Sequence, residues 1–537
     1  MRWQSLLSAS ARPSHSAATV RRRLLAAQGP AAVLRAWQDG GGGGDPSLTV
    51  TAIYCVGKTL DTGCRSAVLE DKRWQSLLRA ALGSISKLTP ADLSQLSWAL
   101  ARADATQDLL FCSIGLSSRP RLSEFRVRDL VTLAWSFARA SGSNKALVTA
   151  VAEAMEGSVS SLSVMDAANL AWAFGKAEVR EERLLLELAQ HVAGRVPEFN
   201  PQDAANTAWG FAKSEVRHEP LFQALGTMTV EAIAGFGAQE LASMVWAFAW
   251  VSVRHEAALQ ALSERATARA AEFNAPGLAR TAWAFAKLEK RPRRLFAAIG
   301  DQAVLRVEEF APPTLAKIAW AFAKVELDDS DALRTLAARS ACMMDEFSGR
   351  DLGMMAWAVA RAGVQHDQLM EALAQASLRK IDTFTVQGLT KAISAFAALA
   401  VCNQELMHAV AREAVKRIDE IPSQGLADLA WANAALQAND EALARAIASA
   451  PGWTERPQYK HRHHAGSVAD CFKHTVLVML LERMASGDGS FVYVDTHAGE
   501  GVYCLSSPEN LELRSAEDGV LRLAARVAGG WHCPGPV

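Results

Sequence analysis

Between residues 90 and 450, apolar positions recur three and four apart in short blocks divided by polar turns. That spacing marks one face of an α-helix. In FNPQDAANTAWGFAK, residues 199–213, a wheel at about 100° per residue gathers Ala204, Ala208 and Phe211 on one side. Leu278, Ala282 and Phe285 gather likewise in a later block, so these positions are expected in the core. Asn200 is a good N-cap, Pro201 stands at the first helical position, and Asp203 falls at the third, where a carboxylate can return to the cap. Phe199 precedes the cap as a staple, a place held elsewhere by Phe125, Phe236, Phe273, Phe310, Phe347 and Phe384. A second helix follows the turn SEVRHE, residues 214–219, and carries Leu221, Leu225 and the stretch around Val230.

The blocks repeat. Trp98, Trp135, Trp172, Trp209, Trp246, Trp283, Trp320 and Trp357, then Ser394 and Trp431, follow one another at intervals of 37 residues. A fixed period of this size belongs to repeat architectures, in which no single unit hides its apolar side and stacking buries one core. The fold class expected is all-α, a right-handed solenoid of about ten 37-residue helical hairpins. Residues 46–90 read as a degenerate first unit, with IYCVGK (53–58) as its first helix and KRWQSLLRAAL (72–82) as its second. The repeat proper spans 91–450.

Opposite the core side of the first helix, within about 60° of the Trp, lie the residue four after it and the residue three before it. Arg102, Arg139, Lys176, Lys213, Lys287, Lys324 and Arg361 occupy the former, with Trp250, Ala398 and Ala435 as departures. The latter varies: Gln95, Thr132, Asn169, Asn206, Ser243, Arg280, Lys317, Met354, Lys391 and Asp428. A steady cation beside a changing hydrogen-bonding side chain suits a reader of single-stranded RNA, the cations following phosphates and the varied residues reaching base edges. Packing between units is the competing role for the tryptophans, and a solvated face the competing role for the cations.

Composition narrows the classes. Lys plus Arg (56) nearly balance Asp plus Glu (57), so any nucleic-acid surface must be a local stripe. The eight cysteines are scattered without a CxxC pair, which argues against a disulfide scaffold or zinc ribbon. No apolar run is long enough to span a membrane. The first 38 residues hold six arginines, five serines and no acid, the composition of a transit peptide for a mitochondrion or plastid. Residues 1–45 are therefore expected as a disordered leader ending in a glycine linker.

Hairpins with the Trp-Ala-Phe-Ala-Lys string at this period resemble the heptatricopeptide repeats, relatives of the octotricopeptide repeats of organellar RNA-binding proteins. The resemblance implies sequence-selective binding of organellar RNA in processing, stabilisation or ribosome assembly.

Residues 451–507 differ. YKHRHHAG, ADCFKHTV and YVDTHAGEGVY place an apolar strand, Phe491–Val494, before a turn containing Gly499 and Gly501, as in doubly wound α/β nucleotide sites. Together they resemble the start of the RlmJ-type 23S ribosomal RNA adenine methyltransferases, which use S-adenosylmethionine. The resemblance implies that Tyr459 touches RNA, that Lys473, His474, Asp495 and His497 lie at the cofactor, and that Gly499 and Gly501 form its loop. It also implies an incomplete α/β, Rossmann-like fragment, since that family's catalytic Asp-Pro-Pro-Tyr has no counterpart after Asp495 and 508–537 carry no element pattern. No catalytic or metal residue is assigned, and no methyl transfer is expected. The function expected is an RNA-binding repeat protein of organellar RNA processing or ribosomal RNA maturation, acting as a monomer off the membrane, with ribosome-assembly proteins as possible partners. The alternatives are a repeat-targeted adenine methyltransferase and a protein-interaction scaffold.

Overall fold

The computed structural model describes residues 17–450, apart from 42–44, 62, 107–108, 141–144, 327–329, 365, 400, 402 and 437–439, together with 492–494 and 502–504. They fall in two compact units, Met1–Ala303 and Val304–Val537.

The first unit opens with α1 (Ala17–Ala26), α2 (Pro30–Asp39), α3 (Pro46–Thr59), α4 (Arg65–Glu70) and α5 (Lys72–Gly83). Hairpins follow: α6 (Pro90–Ala103) with α7 (Leu109–Ser118), α8 (Val127–Arg139) with α9 (Lys145–Ala154), and α10 (Val164–Ala177) with α11 (Glu182–Ala193). Then come α12 (Pro201–Lys213) with α13 (Glu219–Ala232), α14 (Ala238–Val251) with α15 (Glu256–Ala268), and α16 (Ala275–Lys287) with α17 (Arg293–Leu305). The second unit repeats the scheme in α18 (Pro312–Val325) and α19 (Ser330–Cys342), then α20 (Gly349–Arg361) and α21 (Asp367–Arg379). It continues with α22 (Val386–Ala398), α23 (Gln404–Lys416), α24 (Ser423–Ala435) and α25 (Glu441–Ser449). Within each unit the first helices of successive hairpins pack on one another, α6 through α16 in one and α18 through α24 in the other. This is an all-α repeat architecture.

Local chemistry explains the hairpin. Asn200 accepts the Asp203 amide at 2.9 Å, as the cap pattern predicts. The reciprocal box is complete at Thr89 and Asp92, where side chain and backbone each satisfy the other. A turn of 3-10 helix leads into each first helix, for example Val196–Glu198, and the staple residue after it is buried. Ala204, Ala208, Phe211, Leu278, Ala282 and Phe285 are all in the core. Val230 is exposed, and Met228 and Thr229 face inward in its place.

Two periodic devices were not read from the sequence. The residue six after the Trp adopts the left-handed conformation: Asp104, Glu178, Glu215, Ser252, Glu289 and Glu326 have φ between 52° and 62°, and Gly363 holds the same place. A side chain there costs about 1–2 kcal/mol. The following amide closes the helix on a carbonyl five residues back, as Val179 does on Phe174 and Val216 on Phe211. The second device is an arginine between hairpins. Arg121, Arg195, Arg269 and Arg417 each donate to a carbonyl of the preceding hairpin, Leu88, Leu162, Phe236 and Phe384 respectively, while pairing with a glutamate three residues on.

The ends differ from expectation. Residues 17–39, expected as a disordered leader, form α1 and α2, which pack on each other and on α3. Val20, Leu24, Val33, Leu34 and Trp37 recur at helical spacing and are buried, an apolar stripe that the arginine-rich composition masks. Near the other end, β1 (Val492–Val494) pairs antiparallel with β2 (Val502–Cys504), with Tyr493 opposite Tyr503. These two strands are the only part of the expected α/β fragment among the described residues, and no α/β layer is present among them.

Candidate nucleic-acid interface

Within each unit the first helices bring their Trp residues and the flanking positions onto one surface. Each indole is half-buried, and successive ones meet: ring centroids lie 6.0 Å apart for Trp135 and Trp172, 6.2 Å for Trp172 and Trp209, and 6.3 Å for Trp209 and Trp246. In the second unit Trp320 and Trp357 are 5.8 Å apart. The tryptophans therefore do pack between hairpins, but as a tilted ladder at the surface rather than in the core. Its rings keep accessible edges.

The cations border the ladder. Arg102, Arg139, Lys176, Lys287, Lys324 and Arg361 are exposed and Lys213 is half-exposed. One turn to the other side, Lys317 is exposed, while Thr132, Asn169, Asn206, Ser243 and Arg280 are half-buried. Burial pushes the Arg280 guanidinium below its ordinary value.

The cations are not equivalent. Arg102 and Arg139 lie over Trp98 and Trp135, 5.7 and 5.5 Å from the ring centres, and donate to the carbonyls of Gly57 and Ala101. Lys213 is paired at 3.2 Å with Glu178, the left-handed residue that ends the previous first helix. Arg361 makes the same pairing with Glu326. Lys176 and Lys287 have no carboxylate partner among the described residues. Lys287 rests on two indoles, 4.6 Å from the Trp250 ring and 5.1 Å from that of Trp283, and burial lowers its ammonium below the ordinary lysine range.

An open groove of about 470 Å³ follows the ladder in the first unit. Its walls include Thr132, Asn169 and Asn206, and also Arg128, Met165, Gln202 and Gln239. These last four stand seven before the Trp, one turn beyond the varied position, and the sequence reading passed over them. The two rows interact, for Gln202 donates to the Asn206 side-chain oxygen at 3.0 Å. A helix wheel carried one turn further would have found them. Tyr54 was missed as well: its ring lies 5.2 Å from that of Trp98, and Lys58, four residues on, is exposed. YCVGK in α3 therefore stands where WAFAK stands elsewhere, at a spacing that breaks the period.

Tyr459, Lys473, His474, Asp495, His497, Gly499 and Gly501 lie outside the described residues. Among the described residues no cluster of histidine, cysteine and carboxylate fits a metal, and no helix is long and apolar enough to cross a membrane.

Comparison with known proteins gives two short sequence matches, a structural likeness and a family match. The chain is 43% identical over 65 residues to the ribosomal RNA large subunit methyltransferase J of Haemophilus influenzae, and 40% identical over 65 residues to that of Escherichia coli. Each match takes in 12% of this chain and 23% of the relative, so the chain spans about a quarter of the length of these curated relatives. Among solved structures, a full-length AP-3 complex in an intermediate open conformation is similar over 86% of this chain and 90% of its own, at 9% identity and a TM-score of 0.24, which carries no argument. The family match is to the RNA-editing substrate-binding complex 6 protein, over residues 86–340 and 267–451. That pattern runs through more than half of the sequence and over the helices that carry the indole ladder and its cations, and the chain belongs to this family of RNA-editing substrate-binding complex proteins.

Proposed function

We propose that this chain binds single-stranded RNA along the face of its first helices and serves RNA processing or editing. The observation that carries the reading is the surface ladder of indoles, about 6 Å apart, with cations along one edge and varied hydrogen-bonding side chains along the other. Aromatic rings take unstacked bases, cations neutralise phosphates, and amides or hydroxyls reach base edges. Arg102, Arg139, Lys176, Lys213, Lys287, Lys324 and Arg361 hold the backbone in this reading, while Thr132, Asn169, Asn206, Ser243, Arg280 and Lys317 discriminate bases. The family match supports an RNA substrate, and the heptatricopeptide-like string is in keeping with an organellar one. Of the two organelles, the mitochondrion is the one compatible with the family.

The test is the salt dependence of RNA affinity. Each neutralised phosphate on a single strand contributes about 0.7 to the log–log slope. Replacing Lys213, Lys287 and Lys324 together by glutamine is expected to flatten it by up to roughly 2. An unchanged slope removes the row from the mechanism and favours a protein-interaction scaffold.

A second reading rests on the 65-residue match to the methyltransferases. In it the 451–507 segment supplies part of an S-adenosylmethionine site, with Lys473, His474, Asp495, His497, Gly499 and Gly501 at the cofactor and Tyr459 at ribosomal RNA. Calorimetry of the full chain with S-adenosylmethionine tests it, and absence of heat leaves the RNA-binding reading alone.

A further inference from the structure

The hairpin that begins with α14 breaks the pattern twice. Four after its Trp stands Trp250 instead of a cation, and six after it stands Ser252 instead of the acid of most other hairpins. Both changes meet at one place on the ladder. Trp250 stacks on Trp246 at 5.1 Å and 25°, and lies 6.0 Å from Trp283, so three indoles run on without a gap. At 37% exposure Trp250 is one of the few large apolar side chains presented to solvent. Lys287, whose counterpart Lys213 is tied to Glu178, has Ser252 at the position equivalent to that acid, and sits on the indoles instead.

From this double departure we infer that Trp250 and Lys287 form a discrete nucleotide subsite within the RNA path, the indole stacking one base and the lysine meeting its phosphate. The inference rests on the RNA-binding reading above. An exposed indole gains more from a flat base than from water, and every base has such a face. The lysine starts on the ring with no carboxylate beside it. It can therefore turn from ring to phosphate without leaving an unpaired acid behind, an exchange that Lys213 cannot make. Burial on the indoles already disfavours the ammonium there, which adds to the gain when a phosphate arrives. This subsite holds the strand in register, while the other rungs tolerate variation.

The experiment compares the full chain with Trp250→Ala, Trp250→Phe and Ser252→Glu variants, binding a labelled mixed-sequence single-stranded RNA across a salt series. Melting temperatures are read alongside. Trp250→Ala is expected to weaken binding on the order of ten- to a hundredfold with an unchanged salt slope, and Trp250→Phe to restore most of the loss. Ser252→Glu, which gives Lys287 a partner, is expected to flatten the slope by up to about 0.7. Where Trp250→Ala does not fold, Trp250→Lys serves, since lysine holds this position in other hairpins. It is expected to steepen the slope by about 0.7 and to lose affinity at high salt. Variants that bind as the wild type does, whatever their melting temperatures, overturn the subsite and leave the RNA-binding reading standing. A wild-type chain that binds no RNA overturns both.

Discussion

The pairing of Lys213 with Glu178 makes a prediction that runs against simple charge counting. Glu178 is 70% exposed and Lys213 38%, with their charged atoms 3.2 Å apart. Such a surface pair is worth at most about 1 kcal/mol, so a phosphate can displace the carboxylate. Doing so strands Glu178, which must then gather a counterion of its own, and part of the salt dependence earned at the phosphate is cancelled. Replacing Glu178 by glutamine frees Lys213 beforehand. Affinity for single-stranded RNA is expected to rise by up to about fivefold and the log–log slope to steepen by up to about 0.7. Glu182→Gln, on the second helix and away from the ladder, changes net charge equally and supplies the control. Lys213→Gln then flattens the slope by less in the wild type than in the Glu178→Gln background. The assay is fluorescence anisotropy over a salt series, with the two substitutions arranged as a cycle. If Glu178→Gln and Glu182→Gln behave alike, net charge alone governs binding and the rung-by-rung account is refuted.

Two further outcomes concern the scaffold. Asp203 is buried and desolvation raises its carboxyl above the ordinary value, so the charged form is disfavoured in the folded chain. The penalty is complete at pH above the folded value and fades as pH falls toward about 4; Asp203→Asn should therefore raise the melting temperature at neutral pH, with the difference closing on acidification. Arg417 ties its hairpin to the Phe384 carbonyl at 2.7 Å and to Glu420. Arg417→Met should lower the melting temperature by roughly 2–4 °C and leave the RNA salt slope unchanged, since it lies off the ladder.

Much of the hairpin was legible because its chemistry is local. The Asn200 cap, the Phe199 staple and the Ala204, Ala208 and Phe211 core side follow from spacing along a dozen residues, and all appear as read. The acids at the helix ends were not legible, because a left-handed residue is ordinarily sought as glycine or asparagine. Glu178, Glu215, Glu289 and Glu326 adopt that conformation where glycine would be expected. The ion pairs of Glu178 with Lys213 and of Glu326 with Arg361 in the following hairpin were hidden with it. The arginine between hairpins does recur at the period, but Ser158, Ala232 and Met343 interrupt it, and its acceptor is a backbone carbonyl that no side-chain pattern announces. Tyr54 escaped because the first interval is 44 residues rather than 37.

These devices divide the work within each hairpin. Stability comes from positions that repeat with little change: the cap, the staple, the alanine-and-phenylalanine face and the arginine tie. None of them needs the side chains three or seven before the Trp, whose replacement costs the fold little beyond a local bond such as that between Gln202 and Asn206. Positions free of structural duty are the ones able to vary from rung to rung, which a sequence-selective surface requires. The Trp row is the exception, joining hairpins and facing the groove at once. A change there alters folding and binding together, whereas Asn169 or Asn206 can be exchanged to move base preference alone, by roughly 1–3 kcal/mol per contact. Binding measurements on homopolymer RNAs distinguish the two cases. An exchange at Asn206 that changes affinity for every polymer equally would show that the varied row supports the strand without reading it.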